Sequence, residues 1–246
     1  MPLKEEFGRQ GNWLFRWRSY LPVLLIILLI PGMANFTLPG NSETMHLMWV
    51  IFCIAVSFFG LIIRVFTIGH TPKSTSGRNT SEQKASTVNS TGIYSTVRHP
   101  LYVGNFFMWF GIFLYVHSIW VALTFILIYW LYYERIMYAE EEFLRGKFGE
   151  AYESWASKTP AFIPSFKRYA PPALAFSLRN VLKREYSGFF AVIFCFTLLE
   201  VIKNYLLQGK VALHTGWIIF FIFGLAVYLL LRTLKRNTRM LHVEGR

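Results

Sequence analysis

Gly92-Ile93-Tyr94-Ser95-Thr96-Val97-Arg98-His99-Pro100-Leu101-Tyr102-Val103-Gly104 leads into an apolar run that reverses near His117 and returns to Glu140-Glu141-Glu142. The outward limb, 101–115, and the return limb, 118–133, are each short for a membrane crossing. Joined by so tight a turn, they read as a membrane hairpin. A hairpin brings the chain back to the face it left, so the cationic, aromatic motif before it meets the acidic cluster after it. The region closes with Phe148-Gly149-Glu150-Ala151-Tyr152 and Thr159-Pro160-Ala161-Phe162-Ile163-Pro164.

The composition around the hairpin sets the class. The chain is 54% hydrophobic and 18% aromatic with 15% charged residues, beyond the usage of an ordinary soluble domain. Six stretches approach the length of a helical crossing: 20–38, 46–68, 101–115, 118–133, 188–207 and 216–232. The fold expected is therefore all-α, a polytopic membrane helical bundle of about six transmembrane helices with a cytoplasmic cofactor pocket. Residues 20–38 are long for the apolar core of a cleavable leader, and no small-residue cleavage site follows, so a retained span is expected. Pro31-Gly32 predicts a kink within it.

A net charge of +12 raises the question of nucleic acid. The distribution answers it. Lys4, Arg9, Arg16 and Arg18 precede the first span, and Lys73, Arg78, Lys84 and Arg98 lie between the second and third. Lys147, Lys158, Lys167, Arg168, Lys183 and Arg184 lie between the fourth and fifth, and Lys235, Arg236 and Arg239 follow the sixth. Residues 39–45 and 116–117 carry no Lys or Arg. This alternation places both termini in the cytoplasm. It assigns the basic excess to topology and anionic lipid, with no nucleic-acid partner. Cys53 and Cys195 both fall within spans, without metal-ligand spacing, and read as packing residues.

The chain divides into an N-terminal interfacial segment with two spans (1–70), a polar loop (71–91), a motif-bearing core with the hairpin (92–166), and a C-terminal part (167–246). The C-terminal part holds a basic amphipathic helix at 173–186, expected to lie on the membrane face, and two further spans. Arg64, near the end of the second span, either snorkels to the headgroups or faces inward as a functional cation. Glu200 and Lys203 share a helix face and read as an ion pair, or else Glu200 lines a cavity. The acidic residues Glu134, Glu140, Glu141, Glu142, Glu150 and Glu153 are six of only thirteen in the chain, an unusual concentration in a basic protein.

The order Arg-His-Pro-x-Tyr-x-Gly, hairpin, Glu-Glu-x-x-Leu-x-x-x-Phe-Gly-x-x-Tyr and Pro-x-x-x-Pro resembles the isoprenylcysteine carboxyl methyltransferase superfamily, which includes phospholipid methyltransferases. The match covers 92–164, and its motifs are specific as an ordered set. The resemblance implies S-adenosylmethionine as cofactor, bound through Arg98, His99, Pro100, Tyr102, Gly104, Glu140 and Glu141. Such a pocket needs a carboxylate for the ammonium, a donor for the carboxylate, and aromatic faces. Glu140 and Glu141, Arg98 and His99, and Tyr94 and Tyr102 are of these kinds. Gly104 would let the cofactor near the backbone, and N–H groups beside Pro100 could face an anion. Where the family carries Arg near the final Pro motif, this chain has Lys158, which lacks the bidentate fork.

Arg64, Glu141 and Lys158 are the residues assigned to catalysis, with no metal. They suit O-methylation of a carboxylate or phosphate on a membrane lipid or lipidated acceptor. The alternatives are phospholipid N-methylation, or a non-catalytic scaffold or transporter. An integral protein of a bacterial inner membrane is the expected setting.

Overall fold

The computed structural model describes residues 2–72, 85–243 and 245, and these are helical with no strand among them. The expected polar loop lies largely outside the described residues, from 73 to 84, including Lys73, Arg78 and Lys84. Four helices have the length and apolarity to cross a membrane, and a bent N-terminal pair makes a fifth if counted as one span. The chain thus has four or five such elements among its described residues, where the sequence suggests six.

Helix α1 (Leu3–Trp17) is amphipathic and meets the following segment, Leu21–Ala34, at 83°. That segment consists of α2 (Leu21–Leu24), a 3-10 turn (Leu25–Leu28) and α3 (Leu29–Ala34). The irregularity expected at Pro31-Gly32 is displaced upstream. Pro31 has no N–H for the Ile27 carbonyl and crowds it, which accounts for the tightened turn before it. Helix α4 (Glu43–Gly69) is capped by Ser42, whose hydroxyl accepts from the Met45 N–H.

Helix α5 (Pro100–Leu114) is the outward limb of the hairpin, with 15 residues. That is about 22 Å of helix, short of a hydrocarbon layer of about 30 Å. It lies against α4 through small residues: Gly60 on α4 faces Gly104, and Gly111 faces Cys53 and Ser57. Small residues let two backbones approach where lipid gives no hydrophobic drive for association. The Ser57 hydroxyl donates to the Met108 carbonyl at 2.8 Å across this seam.

Helix α6 (Ile119–Phe148) is the return limb, capped by Ser118 and extended well past 133, so that it carries Glu140 and Glu141. An aromatic column joins the limbs, with Phe113 and Phe125 stacked at 4.4 Å and Tyr129 on Tyr133 at 4.3 Å. Helix α1 runs antiparallel along the acidic end of α6: Arg135 Nε donates to Gln10 Oε1 at 2.7 Å, and Phe7 packs edge-on against Tyr138. Gly149, at φ 53°, reverses the chain into α7 (Glu150–Ala156).

Helix α8 (Leu178–Gln208) begins beside the end of α4, where the Ser177 N–H donates to the Gly69 carbonyl. The separate amphipathic helix expected at 173–186 is not formed. Its residues from Leu178 onward are the first turns of α8, because nothing between Leu178 and Gly188 ends a helix and the basic face continues into the apolar one. Helix α9 (Thr215–Asn237) packs along α8, Gly224 accommodating Ile193.

Candidate functional site

The expected meeting of the two motifs takes place at the start of α5. Arg98 and His99 are held from behind by the Pro-x-x-x-Pro segment: their N–H groups donate to the carbonyls of Pro160 (2.8 Å) and Ala161 (3.2 Å). The Ser165 N–H donates in turn to the Thr96 carbonyl at 2.9 Å. This pairing gives the third motif a physical reason to accompany the first. The N–H groups of Tyr102 and Val103 bond to the His99 carbonyl. The donors of Arg98, His99, Tyr102 and Val103 are therefore engaged within the protein rather than open to an anion.

The side chains of this turn face α6. Tyr102 donates its hydroxyl to Glu140 Oε1 at 2.7 Å, and Arg18 Nη1 reaches the same oxygen at 3.1 Å. His99 bridges the two carboxylates, Nε2 at 2.9 Å from Glu141 Oε1 and Nδ1 at 3.5 Å from Glu140 Oε2. Arg98 Nε lies 3.0 Å from Glu141 Oε1, and its Nη1 donates to the Ala156 carbonyl at 2.8 Å. Burial opposes a charge on His99, but its hydrogen bonds to Glu140 and Glu141 outweigh burial and raise its pKa above the usual histidine value. Burial likewise raises the Tyr94 phenol, with the charge of Glu140 adding to it.

A cavity of about 1000 Å³ opens over this cluster. That is at the upper end for a single small-molecule site. Tyr94, Arg98, His99, Pro100, Tyr102 and Glu140 line it. Glu141 stands behind them, tying His99 and Arg98 together. Gly104 does not line the cavity: it lies in the α4–α5 seam, where a Cβ would meet the Arg64 side chain and stand 2.8 Å from the Gly60 carbonyl oxygen. Lys158 also stands outside the cavity lining. It follows α7 and is exposed.

Arg64 faces inward on the cavity wall rather than snorkelling. It is bound by Glu185 of α8 through two contacts of 2.7 Å, and its Nη1 donates to Asn105 Oδ1 at 2.6 Å. Glu185, Asn105 and the cavity role of Arg18 were not foreseen. An intramembrane arginine needs a counter-charge, and that requirement is the signal that could have found Glu185, the carboxylate beside Lys183 and Arg184. Trp155 lines the cavity and donates its indole N–H to the Tyr94 carbonyl. Glu200 and Lys203 form the expected ion pair at 2.7 Å, away from the cavity. Among the described residues no group of three or more His, Cys, Asp or Glu side chains could hold a metal ion.

Residues 47–151 match the family model described as phospholipid methyltransferase. The chain is also 39% identical over 74 residues to the protein-S-isoprenylcysteine O-methyltransferase of Schizosaccharomyces pombe, covering 30% of this chain and 31% of that protein. It is 37% identical over 84 residues to a nickel-cobalt-cadmium resistance protein of Alcaligenes xylosoxydans xylosoxydans, covering 34% of this chain and 39% of that one. A cobalt-zinc-cadmium resistance protein of Cupriavidus metallidurans is 35% identical over 89 residues, 36% of this chain and 41% of that protein. The chain thus spans about a third to two fifths of the length of the curated relatives it matches. No solved structure matches. The resemblance to the isoprenylcysteine and phospholipid methyltransferase superfamily holds over this segment, which contains α5, α6 and both charged motifs.

Proposed function

We propose that the protein is a membrane methyltransferase dependent on S-adenosylmethionine, acting on a membrane-embedded lipid or lipidated acceptor. The observation that carries this reading is the cluster of Arg98, His99, Tyr102, Glu140 and Glu141, assembled across the hairpin at the wall of one cavity. Its donor set fits the cofactor. Glu140 on the wall suits an ammonium, Arg98 and His99 suit a carboxylate, and Tyr94, Tyr102 and Trp155 offer aromatic faces for a sulfonium or an adenine.

When bound, S-adenosylmethionine supplies a methyl group on a sulfonium, which leaves as a neutral thioether as an acceptor lone pair takes the methyl. The protein's own residues then have to bind, orient and keep water out. Glu141 positions His99 and Arg98 from behind, while Arg18 and Tyr102 fix Glu140. Arg64, held by Glu185 and Asn105, presents a braced guanidinium edge toward the acceptor side of the cavity. We assign Lys158 no part in the chemistry.

The acceptor group we favour is an oxygen anion, a carboxylate or phosphate. Arg18, Arg64, Arg98, Lys183, Arg184 and Lys235 line the cavity against Glu140 and Glu185. An oxygen anion already has its nucleophilic lone pair, whereas an ammonium must first lose a proton, and both cavity carboxylates are engaged with arginines. Calorimetric titration of detergent-purified protein with S-adenosylmethionine and with its demethylated product is the first test. Saturable binding that a Glu140→Gln, His99→Ala variant loses, followed by transfer of labelled methyl to an acidic lipid oxygen, is expected. Absence of binding by folded protein in native lipid would remove the reading in favour of a scaffold or transporter. Label confined to amine headgroups would replace O-methylation by N-methylation.

A further inference from the structure

Between α7 and α8 the chain passes from 159 to 177 with no helix beyond a 3-10 turn at Phe166–Arg168. Pro160, Pro164, Pro171 and Pro172 keep it from coiling further. It is nevertheless pinned along its length to the motif turn and to α4. The Ser165 N–H donates to the Thr96 carbonyl, Ala170 N–H to the Ser95 hydroxyl at 2.9 Å, and Ser177 N–H to the Gly69 carbonyl. The segment is thus a collar with a fixed outer surface.

Both ends of the collar join the outer faces of membrane-crossing helices. Phe162 packs edge-on against Trp130 of α6 at 5.6 Å, and Phe176 lies 6.2 Å from Phe66 of α4. Trp130 and Phe66 are exposed on helices long and apolar enough to cross a membrane, so they face lipid. Trp130 precedes Glu140 by about 15 Å along α6. Phe162 therefore reaches past the level of the motif cluster toward the middle of the span, and the collar continues the lipid-facing surface.

What the collar presents outward fits that position. Ile163 is 78% exposed and Phe166 75%, with Tyr169 and Leu178 also exposed. Large apolar side chains held out on a pinned backbone mark a contact surface. Lys167 and Arg168 stand among them and are exposed too. From 154 to 184 the sequence has six Lys and Arg and no Asp or Glu. Aromatic and aliphatic side chains interleaved with cations suit the boundary between headgroups and acyl chains, where anionic lipid attracts the cations. None of Ile163, Phe166, Lys167, Arg168 and Tyr169 lines the cavity.

We propose that the collar is an interfacial anchor whose partner is the anionic surface of the surrounding bilayer. Ile163 and Phe166 enter the boundary of the leaflet on the motif side, and Lys167 and Arg168 meet its headgroups. The partner here is bulk lipid outside the cavity, so the inference is independent of what the cavity binds. It has a consequence for the motif. Arg98 and His99 hang by their N–H groups from the carbonyls of Pro160 and Ala161, so the anchor sets the height of the charged cluster relative to the membrane surface.

The test uses the full chain in nanodiscs of phosphatidylcholine with phosphatidylglycerol. One spin label at a time is attached at Ile163→Cys or Phe166→Cys in a Cys53→Ala, Cys195→Ala background. Collisions with oxygen, which partitions into lipid, are compared with collisions with a water-soluble nickel chelate. A label at Leu127→Cys, exposed on α6, is the lipid reference, and one at Ser154→Cys, exposed in α7, is the water reference. Both collar labels should give an oxygen-to-chelate ratio at least threefold above that of the Ser154→Cys label. Adding Lys167→Glu, Arg168→Glu should raise chelate access at Phe166→Cys at least twofold, and Lys167→Arg, Arg168→Lys should leave it unchanged. Thermal unfolding of each labelled chain confirms the fold. A ratio equal to the water reference would show a surface in solution, and exclusion of both reagents would show a protein contact such as a second copy. Either result would overturn the proposal, as would chelate access indifferent to the charge reversal.

Discussion

Glu140 and Glu141 are neighbours in sequence, yet they occupy different layers of the site. Glu140 faces the cavity and accepts from Tyr102 and Arg18, whereas Glu141 anchors His99 and Arg98 from behind. Loss of one charged hydrogen-bonding group costs about 1.5–3 kcal/mol. Glu140→Gln should therefore weaken S-adenosylmethionine binding about 10- to 100-fold, measured by calorimetry, with thermal stability near wild type. Glu141→Gln should lower both, because it takes the shared carboxylate from the buried His99 and the half-buried Arg98. His99 gives the site a pH signature. Its pKa is raised in the fold: burial works against the charged ring, and Glu140 and Glu141 overcome it. A raised histidine contributes its stability fully below the ordinary value of 6.5 and loses it as pH rises through the folded value. The unfolding temperature of the wild type should fall over that window, and His99→Gln should flatten the fall. An unchanged slope in the variant would show that His99 is not charged in the folded protein. The motif residues at this scale were legible because they sit close together on either side of a hairpin. The Arg64–Glu185 pair was not, because its partners stand 121 residues apart and only the packing of α8 on α4 brings them together.

At the scale of the helix, glycine decides how closely α4 and α5 approach. Gly104 reads from the motif as a cofactor contact, and the structure gives it to the α4–α5 seam instead. One local pattern serves both readings, since any close approach of backbone to a neighbour needs a missing Cβ. Replacing Gly104 by Leu should separate the helices, displace Arg64 and destabilise the protein by about 1–3 kcal/mol or more. Thermal unfolding in detergent would measure it. Gly146→Ala is the control: it lies in α6 with nothing within 4 Å of the added Cβ. It should leave stability unchanged or raise it by about 0.5–1 kcal/mol through helix propensity. Hydropathy located the long helices well, because twenty apolar residues in lipid have few alternatives to a helix. It misjudged two junctions. The basic start of α8 looked interfacial since its charges face one side, and only its contact with the end of α4 makes it continuous with the span. The first span tightens into a 3-10 turn at Leu25–Leu28 because Pro31 acts on the turn before it, a displacement that composition does not reveal.

Across the whole molecule, the two ends of the bundle are closed by different polar devices, and only one faces the cavity. At the end opposite the motifs, Lys203 and Glu200 of α8 are buried at 2% and 3% exposure, so neither charge can be satisfied by solvent. Lys203 Nζ lies 2.7 Å from Glu200 Oε1 and 3.4 Å from Glu43 of α4, while Tyr115, at the end of α5, donates to Glu200 Oε2 at 2.8 Å. His46 approaches the same oxygen at 3.5 Å and meets His117 of the hairpin turn at 3.1 Å. The short α5 explains this arrangement: a limb of 15 residues ends inside the protein, so its turn is lined by side chains where water would otherwise serve. The network fastens α8 to both α4 and the hairpin. Removing one partner of a buried pair leaves an uncompensated charge and costs about 3–5 kcal/mol, whereas removing both together is often close to neutral. Lys203→Met should therefore lower the unfolding temperature sharply, and the Glu200→Gln, Lys203→Met double variant should recover most of the loss. The 15 residue steps of α8 from Glu185 to Glu200 hold the two polar sites about 22 Å apart. Cofactor affinity should accordingly stay near wild type in whatever fraction of Lys203→Met remains folded. A parallel loss of cofactor affinity would mean that the far end sets the geometry of the motif cluster.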